Sequence, residues 1–350
     1  MYRKRGARGR ARARTSAAVL GAALVIAGCS SGDGGGRDGG GDGGGGRDGA
    51  EIGQRPGGAD PFWVDPDGRA AEQVARYEKA GRTAEAGQIR KIAEQPTGLW
   101  IGPENPGQQA RGYTRAARRA GRTALLVLYN IPRRDCGRYS SGGAADGDAY
   151  RAWIDAVAEG IGDRPATVVL EPDAVPHLVD GCTPARFHEE RYDLLKGAVT
   201  RLKALRRTKV YLDAGNAGWG EPRQIAGPLK RAGAEAADGF SVNVSNFYST
   251  EDSIRYGKEL SAKVGGKPFL VDTSRNGNGP YTGGDPKERW CNPPGRALGE
   301  APTTETSDPL VDAYVWVKRP GESDGECKGG PKAGEWWARY ALELARASGA

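Results

Sequence analysis

Residues 124–129 read ALLVLY. Five consecutive apolar side chains and a tyrosine leave no polar face, so a strand here must be covered on both sides. Short apolar segments recur at 98–101 (GLWI), 167–170 (TVVL), 210–213 (VYLD), 240–244 (FSVNV), 268–271 (PFLV) and 313–317 (AYVWV). Between them lie helical patterns. In 146–161, Tyr150, Trp153, Ile154, Val157 and Ile161 fall on one helix face. Helices are also expected over 67–95 with a break near Gly81, and over 106–120, 184–205, 222–232, 251–264 and 335–347. Such alternation gives a parallel sheet covered by helices. Seven strands in about 290 residues fit an incomplete (β/α) barrel or a doubly wound open sheet. Neither GxGxxG at a strand-to-helix turn nor GxxxxGK[ST] occurs, so nucleotide binding has no support.

In parallel α/β folds chemistry sits at the carboxyl ends of the strands. Here those ends hold Trp100, then Tyr129-Asn130 with Asp135, then Glu171-Pro172-Asp173. Asp213 to Asn216, with Trp219, follow the fourth strand, and Asn243 to Asn246 the fifth. Asp272 to Gly277 follow the sixth, and Lys318, Glu322 and Asp324 the seventh. Carboxylates, amides and indole rings line one rim, and no Cys–His or Ser–His pair stands out. Indole faces stack on sugar rings, and two carboxyl groups suffice for glycosidic cleavage if one stays protonated. Trp63, Trp153, Trp336 and Trp337 lack rim positions and are expected to pack. Trp316 is expected near the cleft, and His177 and His188 in structural roles.

The 350 residues carry 51 Lys+Arg against 44 Asp+Glu, a formal charge of +7. Residues 3–14 hold Arg3, Lys4, Arg5, Arg8, Arg10, Arg12 and Arg14, with no acid before Asp33. Without these seven the bases match the acids at 44. A basic start, an apolar AAVLGAALVIAG over 17–28 and then Cys29 describe a signal peptide. Ile26-Ala27-Gly28-Cys29 resembles a lipobox, in which Cys29 is lipidated and becomes the first mature residue. The Gly-rich stretch that follows cannot bury a core and reads as a flexible tether. The expected organisation is a signal peptide over 1–28, an anchor and tether over 29–59, and one catalytic domain over 60–350. The mature chain would sit on the outer face of the cell membrane, or be secreted. Its neutral body speaks against a nucleic-acid partner. No apolar run approaches the ~18–20 residues of a membrane span.

Four further cysteines, Cys136, Cys182, Cys291 and Cys327, read as two disulfides in an exported protein. Three pairings are possible, of which the sequential one is simplest; each bridge would then be worth about 4 kcal/mol by loop entropy. No CxxC spacing occurs, and no metal or cofactor is expected.

The segments YNIPRRDC, VVLEPD, YLDAGNAGW, NVSNF, VDTSRNGNGP, WCNPPGRALG and DAYVWVKRPGESDGEC resemble glycoside hydrolase family 6, the β-1,4-glucanases and cellobiohydrolases. They occur in order across roughly residues 60–345. The resemblance implies a distorted, incomplete (β/α) barrel of about seven strands, inversion of anomeric configuration and the sequential disulfides. It makes Asp173 the general acid, and Asp135 the aspartate that raises the acid's pKa and helps activate water. Asp324 matches a carboxylate described as base or as substrate-binding group, and Asp213 a further aspartate beside the acid. Tyr129 matches a tyrosine that crowds the sugar at the cleavage point, and Ser141 a serine near the attacking water. Lys318 and Glu322 match sugar-hydroxyl contacts; Trp100, Trp219 and Trp290 match stacking platforms. Asn246 is placed with the substrate-binding residues. Asn216 stands where the family usually has His; it can still hydrogen-bond but cannot be protonated. The segment from Cys136 to Tyr150 is short, and 35 residues separate Cys291 from Cys327. An open cleft and endo action on a β-glucan, by a monomer, are therefore expected. The alternatives are an exo-acting enzyme of the same family and a non-catalytic sugar-binding lipoprotein.

Overall fold

The computed structural model describes residues 61–348. The expected signal peptide, Cys29 and the glycine tether lie outside these residues. The strands are β1 (Leu99–Ile101), β2 (Ala124–Leu128), β3 (Ala166–Leu170), β4 (Thr208–Asp213), β5 (Gly239–Val242), β6 (Phe269–Asp272) and β7 (Val311–Val315). All pair in parallel, in chain order from β1 to β7. The order never reverses, so the doubly wound alternative does not apply; the sheet curls into an incomplete barrel.

Alternate residues explain the unbroken apolar segments. Leu125, Val127, Val169, Tyr211, Leu270, Ala313 and Val315 fill the barrel interior as one buried cluster. Leu126, Leu128, Val168, Leu170, Val210 and Leu212 belong to another, packed beneath the outer helices. Both faces are thus dry. The outer layer comprises α1 (Arg69–Lys79), α2 (Thr83–Ala93), α3 (Pro106–Arg119), α4 (Gly147–Ile161), α5 (Pro176–Val179), α6 (His188–Lys203), α7 (Pro222–Arg231), α8 (Thr250–Lys263) and α9 (Ala338–Ala347). The expected break in 67–95 separates α1 from α2. One turn of α5, directly after β3, escapes the sequence pattern because four residues are too few for helical periodicity.

The edge strands meet at a seam. Gly98 N–H donates to Trp316 O, Trp100 Nε1 to Val317 O, and Arg319 Nε to Gly98 O, each at 2.9 Å. A Cβ on Gly98 would lie 2.7 Å from Val127 Cγ2 and 2.9 Å from Val317 O, so only glycine fits this approach. Trp316 departs from expectation. Val315 and Val317 point inward, so Trp316 points outward, where it packs with Ile89, Ile92, Ala341 and Leu344 away from the cleft. Cys136–Cys182 and Cys291–Cys327 are bonded, the sequential pairing.

Candidate active site

Buried carboxylates tie neighbouring strand ends together. Glu171, beyond β3, accepts from Asn130 N–H at 3.1 and 3.0 Å and from Ile131 N–H at 2.9 Å, beyond β2. Asp213, ending β4, accepts from Asp173 N–H at 2.9 Å, beyond β3. Asp272, ending β6, accepts from Ser245 N–H at 2.9 Å and Lys318 N–H at 3.1 Å. Each satisfies loop amides that no strand partner reaches. The backbone between them is left-handed at Arg133, Asp135, Cys136, Glu171, Asp173, Asn243 and Ser245. For non-glycine residues this costs of order 1 kcal/mol each, and such strain gathers where side chains must be aimed.

Asp173 is half-buried, with its Oδ2 accepting from Tyr129 Oη at 3.4 Å. Burial, then the nearby charge of Asp135, pushes its carboxyl up to about 7. Asp135 is buried on the loop after β2 and accepts from Ser140 N–H at 2.7 Å. Its own pKa is raised by burial, against the hydrogen bond from Ser140 and the charges of Arg138 and Arg134. Beneath Asp173, the Asp213 carboxyl is pushed well above the ordinary carboxylate range, by burial and then by the charge of Asp173. Tyr129 touches Trp100 edge-on with ring centres 5.6 Å apart, while the Arg134 guanidinium lies 4.7 Å from its ring centre. Asp135, Asp173, Asp213, Tyr129 and Trp100 thus lie together.

Asp324 is held differently. Arg275 Nη1 donates to both its oxygens, at 3.0 and 2.8 Å, Lys318 Nζ lies 3.2 Å from Oδ1, and Asn292 N–H donates to Oδ2 at 3.0 Å. Burial alone would raise its pKa, but Arg275 and then Lys318 carry it below the ordinary value. Arg275 is fully buried, with its guanidinium 4.3 Å from the Phe247 ring centre. Arg275, Asn292 and Glu171 did not emerge as site residues from the sequence. The one available signal was that Arg275 and Glu171 stand at strand ends; what each grips is 49 and 40 residues away.

The remaining positions spread around the rim. Trp219 Nε1 donates to Asp180 at 3.0 Å, and its ring meets His177 edge-on at 4.9 Å. Burial holds His177 down at about 4, neutral at physiological pH. Asn216 is buried, and its Oδ1 accepts from Gly218 N–H at 3.0 Å. This spends its carbonyl on the local turn. Asn246 caps its own turn by accepting from Phe247 N–H at 2.9 Å. Ser141 is exposed on the Asp135 loop. Trp290 is half-buried on the Cys291 loop beside exposed Tyr139, with ring centres 6.2 Å apart. Glu322 is buried against Arg319 at 3.0 Å and lines a cavity at the seam with Leu99 and Trp336.

A proton-holding carboxyl beside a second acid, flanked by indole faces on an open rim, suits cleavage between sugars, and fold and site together define a glycoside hydrolase. The chain belongs to glycosyl hydrolases family 6, whose family model matches residues 58–348. It is 43% identical over 289 residues to endoglucanase A of Cellulomonas fimi, covering 81% of this chain and 61% of that protein. It is 40% identical over 294 residues to endoglucanase 1 of Streptomyces halstedii, covering 81% and 88% respectively. Among solved structures, the endoglucanase Cel6 from Mycobacterium tuberculosis, in complex with methyl-cellobiosyl-4-deoxy-4-thio-β-D-cellobioside, aligns with a TM-score of 0.77. That alignment is at 44% identity and covers 83% of this chain and 98% of that one. The chain spans about three fifths of the length of the Cellulomonas fimi relative.

Proposed function

We propose that the protein is an endoglucanase that cleaves internal β-1,4-glucosidic bonds of cellulose or a related β-glucan with inversion, Asp173 acting as general acid. The observation that carries this reading is the carboxyl of Asp173, pushed up to about 7 by burial and Asp135 while part of its surface stays open to the cleft. A group so tuned is about half protonated at neutral pH, and its protonated form transfers the proton to the leaving oxygen. Asp135 keeps that proton in place through its negative charge and, with Ser141 on the same loop, orients the attacking water. Tyr129 presses on the sugar at the cleavage point. Asp324, ionised by Arg275 and Lys318, stabilises positive charge developing on the sugar ring, and its saturated contacts make it a poor proton acceptor. Trp100, Trp219 and Trp290 stack on glucose rings; Lys318, Glu322, Asn216 and Asn246 bond hydroxyls. The short loops after Cys136 and Cys291 leave the cleft open, and the relatives named endoglucanase support endo action. We also infer that residues 1–28 are removed, that Cys29 carries a lipid anchor, and that residues 60–350 act as one monomeric domain without a cofactor.

Proton NMR of fresh product from a soluble β-glucan is expected to show the α-anomer first; a β-anomer first contradicts inversion.

A second expectation concerns pH. Asp173 works only while protonated, so activity is present at low pH and lost as pH rises through about 7. Asp135→Asn removes the second cause of that elevation and leaves burial. The alkaline limb of kcat/KM should therefore move to lower pH, with a reduced maximum. An unmoved limb would separate Asp135 from the acid's titration.

A further inference from the structure

Residues 61–348 carry 41 Lys+Arg against 38 Asp+Glu, and their arginines are unevenly placed. At the barrel end opposite the rim, Ala124, Ala166 and Thr208 are register partners at the starts of β2, β3 and β4. Arg122, Arg164 and the pair Arg206-Arg207 immediately precede these starts. Strands pair about 4.8 Å apart, so these arginines stand in adjacent columns. Helix α3 ends at the same place and presents Arg115, Arg118 and Arg119 to solvent. Arg164 lies among them: its Nε donates to Thr114 at 2.8 Å, and burial, then the charges of Arg115, Arg111 and Arg118, disfavour its own against the nearby Asp163. Arg118 is 3.5 Å from exposed Asp163. Among the described residues, Arg115, Arg119, Arg206 and Arg207 form no ion pair. Offsetting the helix dipole accounts for Arg118 and Arg119 in the last turn of α3. It does not account for Arg115, a turn earlier, or for Arg206 and Arg207 on the loop beyond α6.

The chain enters the described body at this same face. Thr123 N–H donates to Pro61 O at 2.8 Å, and Trp63 N–H to Thr123 O at 3.0 Å, next to Arg122. On the lipoprotein reading, this is the face from which the chain runs back to the lipidated Cys29.

We propose that the arginine face is a docking surface for an anionic phospholipid bilayer, laid against the membrane with the catalytic rim turned to the opposite side. The orientation rests on the lipoprotein reading above; the arginine face stands on the fold alone. Each arginine near an anionic surface strengthens partition about fivefold, and salt screens the effect.

The test uses the mature chain carrying Cys29→Ser, which cannot be acylated, with vesicles of phosphatidylglycerol and phosphatidylcholine and with phosphatidylcholine alone. Sedimentation with the anionic vesicles at low ionic strength is expected, reversed by salt. Arg115→Gln, Arg118→Gln and Arg119→Gln combined should weaken it on the order of 100-fold while leaving hydrolysis of soluble β-glucan unchanged. Equal binding by the triple variant, binding to phosphatidylcholine alone, or no binding to anionic vesicles overturns the proposal. So does capture by an anionic polysaccharide in the absence of vesicle binding. Mass spectrometry of the unsubstituted mature chain tests the anchor separately: a missing acyl group overturns the membrane-facing orientation, while salt-sensitive vesicle binding would still uphold the arginine face.

Discussion

Asp173→Asn is expected to lower kcat on soluble β-glucan by about 10²–10⁴-fold while cello-oligosaccharide binding is retained. The amide matches the carboxyl in size, and Asp213 still accepts from the residue 173 backbone N–H, which at 2.9 Å in the wild type fixes the left-handed turn. The Tyr129 contact also survives, since an amide oxygen accepts as a carboxylate oxygen does. What the variant lacks is a proton to give the leaving oxygen. The loss therefore falls on kcat rather than on affinity, a split that a merely structural role would not produce. Reducing-end release gives kcat, and calorimetry with a cello-oligosaccharide gives Kd. Wild-type turnover in this variant overturns the assignment.

The second large effect is on stability. Arg275→Met leaves Asp324 buried with Lys318 as its remaining cation, and breaking a buried ion pair from one side costs about 3–5 kcal/mol. Replacing both partners, as Arg275→Met with Asp324→Asn, should recover only part of that loss, because Lys318 then stays buried without a carboxylate partner. The pH dependence has a definite sign. In the wild type the Asp324 pKa is depressed, so its contribution is present above the unfolded pKa and lost as pH falls through the folded one. Without Arg275, burial, already the largest influence on Asp324, raises its pKa instead. The deficit of the single variant should then be largest at neutral pH and shrink on acidification. Thermal unfolding across pH reads both effects. A Tm equal to wild type at neutral pH would mean that the pair contributes little.

Much of the barrel was legible because each strand is buried on two sides, which erases polar alternation and leaves apolar stretches such as ALLVL in β2 and ATVVL in β3. Trp316 was misplaced for the same reason: in a segment apolar on both faces, composition does not tell inward from outward. The Asp135–Asp173–Asp213 group was legible because parallel strands bring their carboxyl ends to one rim. Glu322 follows the last strand on that rim, and its pairing with Arg319 was not legible in the sequence.

By itself the sequence determined the layers and the rim on which the acids gather, since these follow from periodicity and from the parallel connection of successive strands, whereas the strand order that separates a barrel from a doubly wound sheet was read from the structure. The sequence also determined that seven basic residues cluster within residues 3–14, and that without them bases and acids balance at 44 each. Only the tertiary structure decided which ionisable groups meet and in what state. Asp173 and Asp324 are both aspartates at strand-end loops, yet one is pushed up to about 7 and the other is pulled below its ordinary value. The reason is physical: burial penalises both charges alike, and what separates them is a neighbour brought from afar, the acid Asp135 in one case and the cation Arg275 in the other.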